Sequence, residues 1–221
     1  MTDFKNLPTG VNPPKDVNAI IECPKGERNK YEYDSKLGVF KLDRVLYASV
    51  HYPTAYGFIP NTLAEDGDPL DVMVMTHGET FTGCLIEVRP VGMLKMRDDK
   101  GNDDKILAVP IHDPIYNNVH RLADLPPHLP NEIEHFFNVY KQLEGKAVES
   151  FGWEDFFMAE RSILDSVKRL KAHNAQEKKK TSTKPFKKMI TAGAATNGLS
   201  GVAGDASLRG QSKNGHTKGK K

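Results

Sequence analysis

The sequence predicts an α+β chain in which β structure dominates, a small barrel of strands followed by two C-terminal helices. Three observations carry this. Short strand-like runs separated by Gly and Pro fill the chain between residues 18 and 109. No helical period interrupts them, which argues against alternating βαβ units. Two amphipathic helical periods then close the folding region, between residues 131 and 171. At 221 residues and 38% hydrophobic content, the chain can bury one substantial core.

Residues 1–17 hold Pro8, Pro13 and Pro14 with Gly10 and read as an irregular arm. Residues 18–23 form a short apolar strand that carries one acid, Glu22. Residues 30–33 alternate with period two, so Lys30 and Glu32 share one face and Tyr31 and Tyr33 the other. Residues 38–46, with Asp43 and Arg44, continue as a strand. Between residues 52 and 60, two prolines and Gly57 exclude helix and point to an ordered loop or a sheet edge. Tyr52 and Tyr56 within it are either packing aromatics or hydroxyl donors to an anion. Further strands are expected at 72–75, 83–88, 91–96 and 106–109, with an acidic loop over 98–105. Asn131 reads as an N-cap behind Pro130, and Ile133, Phe136, Phe137, Tyr140 and Leu143 keep helical spacing up to a stop at Gly145. The second helix is expected from about 153 to 171, with Ala159, Ile163, Val167 and Leu170 on one face.

A net charge of +2 conceals an asymmetry: residues 172–221 carry +9, and residues 1–171 carry −7. One domain over 1–171 is therefore expected, followed by a basic, low-complexity tail over 172–221 that buries too little apolar surface to order itself. Cys23 and Cys84 are too few and too scattered for a disulfide framework or a zinc site. With no signal-like or membrane-spanning apolar run in the sequence, a cytoplasmic location is the expectation.

The chemistry concentrates in residues 66–71, Asp-Gly-Asp-Pro-Leu-Asp. Three carboxylates in six residues repel one another, and a hard divalent cation relieves that conflict. A calcium loop of the EF-hand kind is excluded, because Asp71 stands where the obligatory glycine belongs and His77 where the bidentate Glu belongs. A second acidic cluster lies at 98–104, and with Glu22 and Glu32 the carboxylates exceed what one cation needs. Lys30, Arg44, Lys105 and Lys141, with Tyr52, Tyr56 and Tyr140, are donors suited to a small, highly charged oxyanion such as a polyphosphate. No Ser, Cys or His nucleophile with a base partner is evident, so attack by a metal-activated water is the expected chemistry. His51, His77 and His112 are read as structural or surface residues.

Taken in order, Ile21-Glu22, Lys30-Tyr31-Glu32, Asp43-Arg44, the run from Tyr52 to Gly57, the run from Asp66 to Val72, Lys95-Met96 with the acidic loop, and Tyr140-Lys141 resemble the motifs of soluble inorganic pyrophosphatases of family I. The resemblance covers residues 4 to 171 and is nearest to the short bacterial form. It implies a five-stranded OB-like barrel, a hexameric homo-oligomer, and hydrolysis of pyrophosphate with several Mg²⁺ ions, for which Mn²⁺ or Co²⁺ substitute. It further implies that Asp66, Asp71 and Asp103 hold the water-activating metal, that Asp98 and Asp103 hold another arriving with substrate, and that Glu22 helps to hold a further one. Asp68 would accept a hydrogen bond or proton from the attacking water. Lys30 and Tyr56 would grip the electrophilic phosphate, and Arg44, Tyr140 and Lys141 the leaving one. Glu32, Tyr52 and Lys105 would complete the pocket. Asp99 stands where the family often has Glu, and the basic tail lies outside the family's pattern.

Two other classes compete with the enzyme. OB-like barrels often bind nucleic acid, and the tail is suited to polyanions, but the folded part is acidic and its aromatics sit among carboxylates. An inactive scaffold on the same fold would require a lost ligand, and none is missing.

Overall fold

The computed structural model describes residues 3–99 and 101–182. Its elements in chain order are β1 (Val17–Cys23), β2 (Asn29–Asp34), β3 (Val39–Val45), β4 (Ala55–Phe58), β5 (Asp71–Val74), β6 (Leu85–Asp98), β7 (Gly101–Asn102), β8 (Lys105–Pro110), α1 (His128–Val139), β9 (Glu149–Asp155) and α2 (Phe156–Ser182). Strand β1 pairs with β4, β4 with β5, β5 with β8, β8 with β6, and β6 returns to β1. This closes the expected five-stranded OB-like ring and leaves no free edge within it. The ring is not a regular barrel. Among the described residues only β5–β8 is parallel, β7 and β9 are added along β6, and β2 with β3 forms a separate two-stranded sheet.

The parallel pair forms the centre of the core. Val72, Met73 and Val74 of β5 and Ile106, Leu107, Ala108 and Val109 of β8 are all fully buried. Strands covered on both faces read as continuous apolar runs, which is how these segments stand in the sequence. Phe136 and Phe137 of α1 pack on one side of the ring with Tyr52, Tyr56 and Met73, and Ala159 and Ile163 of α2 pack with Val72 and Ile106 on the other.

Several expectations from sequence are corrected. The residues around Tyr56 are not an edge: β4 lies between β1 and β5 and is buried throughout. A Cβ at Gly57 would stand 1.8 Å from the Ile20 carbonyl oxygen, so only glycine lets β1 and β4 approach. The two strands expected at 83–88 and 91–96 are one, β6, because Pro90 is accommodated at a register shift against β8. The second helix does not begin at Trp153: that residue pairs with Leu94 in β9, whose apolar signal is limited to Phe151 and Trp153. Helix α1 begins at His128 rather than behind an Asn131 cap, and Pro130 sits in its first turn, where no N–H is required. Gly145, with φ +70°, closes a separate 3₁₀ turn over Gln142–Glu144. Helix α2 continues past Lys171 to Ser182, since the Ala, Gln, Glu and Lys residues over 172–180 favour helix and no Gly or Pro interrupts them. The remainder of the expected tail, from 183 onward, lies outside the described residues.

Candidate active site

Local chain geometry explains how separated acids meet. Residues 66–70 form the turn entering β5, with Gly67 at φ +94° where a side chain would be strained. The Asp68 N–H donates to Asp66 Oδ1 at 3.1 Å, and the Ala64 N–H to the Asp68 carbonyl at 2.7 Å. Helix α2 pins the approach to this turn, through Arg169 Nη1 donating to the Leu63 carbonyl at 2.7 Å and the Leu63 N–H donating to the Ser166 carbonyl at 3.2 Å. Parallel pairing of Val72 with Ile106 then sets Asp71, at the start of β5, beside Lys105, at the start of β8.

At the base of the site, Lys105 Nζ, 1% exposed, donates to Asp71 Oδ2 at 2.6 Å and to Asp103 Oδ1 at 2.7 Å. The Tyr56 hydroxyl donates to the same Asp71 oxygen at 2.5 Å. Burial opposes charge on Lys105, but Asp71 and Asp103 outweigh it and hold the ammonium above its ordinary pKa. Burial likewise opposes charge on Asp71, yet Lys105, Tyr56 and Lys30 hold that carboxyl below the usual range. Asp103 goes the other way: burial, with Asp71 and Asp98 nearby, raises it despite Lys105. Lys105 Nζ also lies 5.6 Å from the Tyr56 and Phe137 ring centroids.

The other elements supply the walls. Lys30 of β2 and Arg44 of β3 are cross-strand partners. Lys30 pairs with Glu32 on its own face, as the alternation predicts, and Arg44 with Asp43. Arg44 Nε also donates to Glu144 Oε1 at 2.9 Å. Tyr140 and Lys141 follow the end of α1, and Lys141 Nζ donates to Asp98 Oδ2 at 2.8 Å. Glu22 accepts the Tyr33 N–H at 2.8 Å, and burial pushes its carboxyl up to about 7.

Glu22, Lys30, Glu32, Arg44, Tyr56, Asp66, Asp68, Asp71, Asp98, Asp99, Asp103, Lys105, Tyr140 and Lys141 thus line one pocket of about 240 Å³. Tyr52 does not. It is buried behind the wall with its ring 5.4 Å from that of Tyr56, so the packing reading describes its position. Asp104, part of the acidic loop, is turned to accept the Met96 N–H at 3.2 Å and is not on the pocket. His51, His77 and His112 are absent from the lining, and His112 faces Glu87 at 2.8 Å. Sequence reasoning missed Lys5, Tyr33, Phe58, Pro69 and Lys146, which also line the pocket. Nothing in the local pattern places the N-terminal arm across it.

Among the described residues, no compact group of three or more His, Cys, Asp or Glu side chains forms a cage for a metal. The donor set nonetheless fits hard divalent cations. All its potential ligands are carboxylates, and Mg²⁺ is commonly held by one or two carboxylates together with waters and substrate phosphate oxygens. Burial and like charge raise Glu22 and Asp103, leaving acids whose ionised forms a bound cation would favour.

A ring of OB type, with carboxylates and Lys, Arg and Tyr side chains gathered in one pocket, defines a class of protein suited to small, highly charged anions. The family model for inorganic pyrophosphatase matches residues 19–171. An inorganic pyrophosphatase of Haloferax volcanii is 50% identical over 161 residues, covering 72% of this chain and 91% of its own length. That of Sulfolobus acidocaldarius is 50% identical over 167 residues, covering 74% and 96%. The crystal structure of inorganic pyrophosphatase from Thermus thermophilus superposes with a TM-score of 0.75 at 44% identity, covering 77% of this chain and 99% of that one. The chain belongs to the inorganic pyrophosphatase family.

Proposed function

We propose that the protein hydrolyses inorganic diphosphate to two orthophosphates and that the reaction depends on Mg²⁺, with Mn²⁺ or Co²⁺ as substitutes. The observation that carries this is the convergence of the acids and the phosphate donors on one pocket of a chain in this family. Asp66, Asp71, Asp98, Asp103 and Glu22 would hold the metal ions. When bound, these ions supply the Lewis acidity that lowers the pKa of water and neutralises phosphate charge. Asp68 accepts the proton of the attacking water. As the water oxygen bonds to phosphorus, the bridging P–O bond breaks and its electrons leave with the second phosphate. Lys30 and Tyr56 orient the phosphate under attack, and Arg44, Tyr140 and Lys141 neutralise the departing one. Lys105 keeps Asp71 and Asp103 together, and Glu32 and Asp99 complete the rim. Diphosphate incubated with protein and Mg²⁺ yields two orthophosphates per molecule consumed; a module that only binds phosphate, or an inactive scaffold, yields none.

The chain acts as a homo-oligomer, a hexamer by family resemblance, which accords with exposed apolar side chains such as Phe81 and Phe157. Sedimentation at micromolar concentration as a monomer would dispose of this. No helix among the described residues is long and apolar enough to cross a membrane. Free Cys23 and Cys84 favour a cytoplasmic setting. The basic segment over 172–221 contacts polyanions. Full-length protein will therefore elute from heparin at higher salt than a version ending at Lys171, and equal elution would remove the tail from the interaction.

A further inference from the structure

We infer that Lys5 is a substrate-binding residue, a cation supplied to the pocket by the N-terminal arm from outside the family-matched span, which starts at residue 19. This rests on the diphosphate reading and names a contact within that site.

The arm is fixed where it crosses the mouth. Residues Phe4–Asn6 form a 3₁₀ turn capped by Asp3, whose Oδ1 accepts the Lys5 N–H at 3.2 Å. The Asn61 N–H donates to the Lys5 carbonyl at 2.8 Å, tying the arm to the chain ahead of the acidic turn. The Phe4 ring packs 5.2 Å from the rings of both Tyr33 and Phe40, and the Phe4 N–H donates to the Tyr33 hydroxyl at 3.3 Å. The backbone at Lys5 is thereby held by contacts that do not involve its ammonium.

The ammonium itself lines the pocket and stands 3.9 Å from Asp68 Oδ1. That separation is too long for a hydrogen bond, and the side chains are 33% and 60% exposed, so the pair contributes little to stability. A diphosphate oxygen beside Asp68 offers Lys5 a stronger, charge-assisted partner. The side chain then adds to substrate affinity, and the proton transfer at Asp68 does not pass through it.

The test is calorimetric binding of imidodiphosphate with Mg²⁺, read beside kcat, KM and the melting temperature. In Lys5→Met, affinity is expected to fall about tenfold, the scale of one partly exposed charge-assisted hydrogen bond. KM for diphosphate rises in parallel, kcat stays within about twofold and the melting temperature within about 2 °C, and Lys5→Arg recovers most of the affinity. Unchanged affinity in Lys5→Met overturns the inference. So does a loss that tracks melting temperature or that arginine fails to restore. Wild-type protein that binds imidodiphosphate without hydrolysing diphosphate would overturn the enzymatic reading alone, whereas wild-type protein that binds none would overturn both.

Discussion

Replacing Asp68 by Asn is expected to lower kcat for diphosphate by about two to four orders of magnitude, the usual range for loss of a positioned proton acceptor. Stability should not follow. The Asp68 side chain is 60% exposed, and its ionic neighbour, Lys5, is 3.9 Å away. The turn is held by main-chain groups that asparagine leaves intact: the Asp68 N–H donates to the Asp66 side chain, and the Asp68 carbonyl accepts the Ala64 N–H. The melting temperature should therefore move by no more than about 2 °C. Turnover within tenfold of wild type would remove Asp68 from the proton path.

Lys105→Met should have the opposite signature, in which the fold itself suffers. The ammonium is buried between Asp71 and Asp103, and methionine fills much of its volume while leaving two carboxylates without their cation. Breaking a buried pair by removing one partner costs about 3–5 kcal/mol. For a domain of this size that corresponds to a fall of roughly 10 °C in melting temperature, measured in the presence of chelator. Added Mg²⁺ should narrow the difference, because a cation at Asp71 and Asp103 replaces part of the lost charge. A fall of less than 2 °C under chelation would show that the pair does not stabilise the fold, on the same scale.

What could be read from residues alone follows from where the information lies. The acids at 66–71 and 98–103 declare their chemistry by type and spacing, whereas Lys30, Arg44, Tyr56 and Lys141 are joined to them only through the ordered motifs of the resemblance, and one pocket collects them all. The central strands β5 and β8 were legible for the same local reason, since burial on both faces demands an unbroken apolar run. Features that depend on distant partners were not. Pairing of β1 with β6 closes the ring, and β9 exists through its pairing with β6. The ring-closing pairing leaves no local mark, and the alternation of Phe151 and Trp153 is too short to delimit β9. The segments 83–88 and 91–96 read as two strands, whereas a register shift against β8 at Pro90 carries β6 through both. Lys5 reaches the pocket because Phe4 packs on Tyr33 and Phe40, and Arg169 pins the acidic turn through the Leu63 carbonyl. Both are long-range contacts between residues that look like ordinary surface charges. Helix α2 past residue 171 is hidden for a different reason: its low apolar content points to no buried face, yet the Ala, Gln, Glu and Lys residues there extend a helix already packed further back.

The most direct measurement is the initial rate of orthophosphate release from diphosphate by the purified full-length protein, first with Mg²⁺ and then with the metal chelated. Rapid release that stops on chelation and returns when Mg²⁺ is restored is the predicted result. Release that persists in chelator, or none with Mg²⁺, Mn²⁺ or Co²⁺, would contradict a metal-dependent diphosphate hydrolase at this pocket.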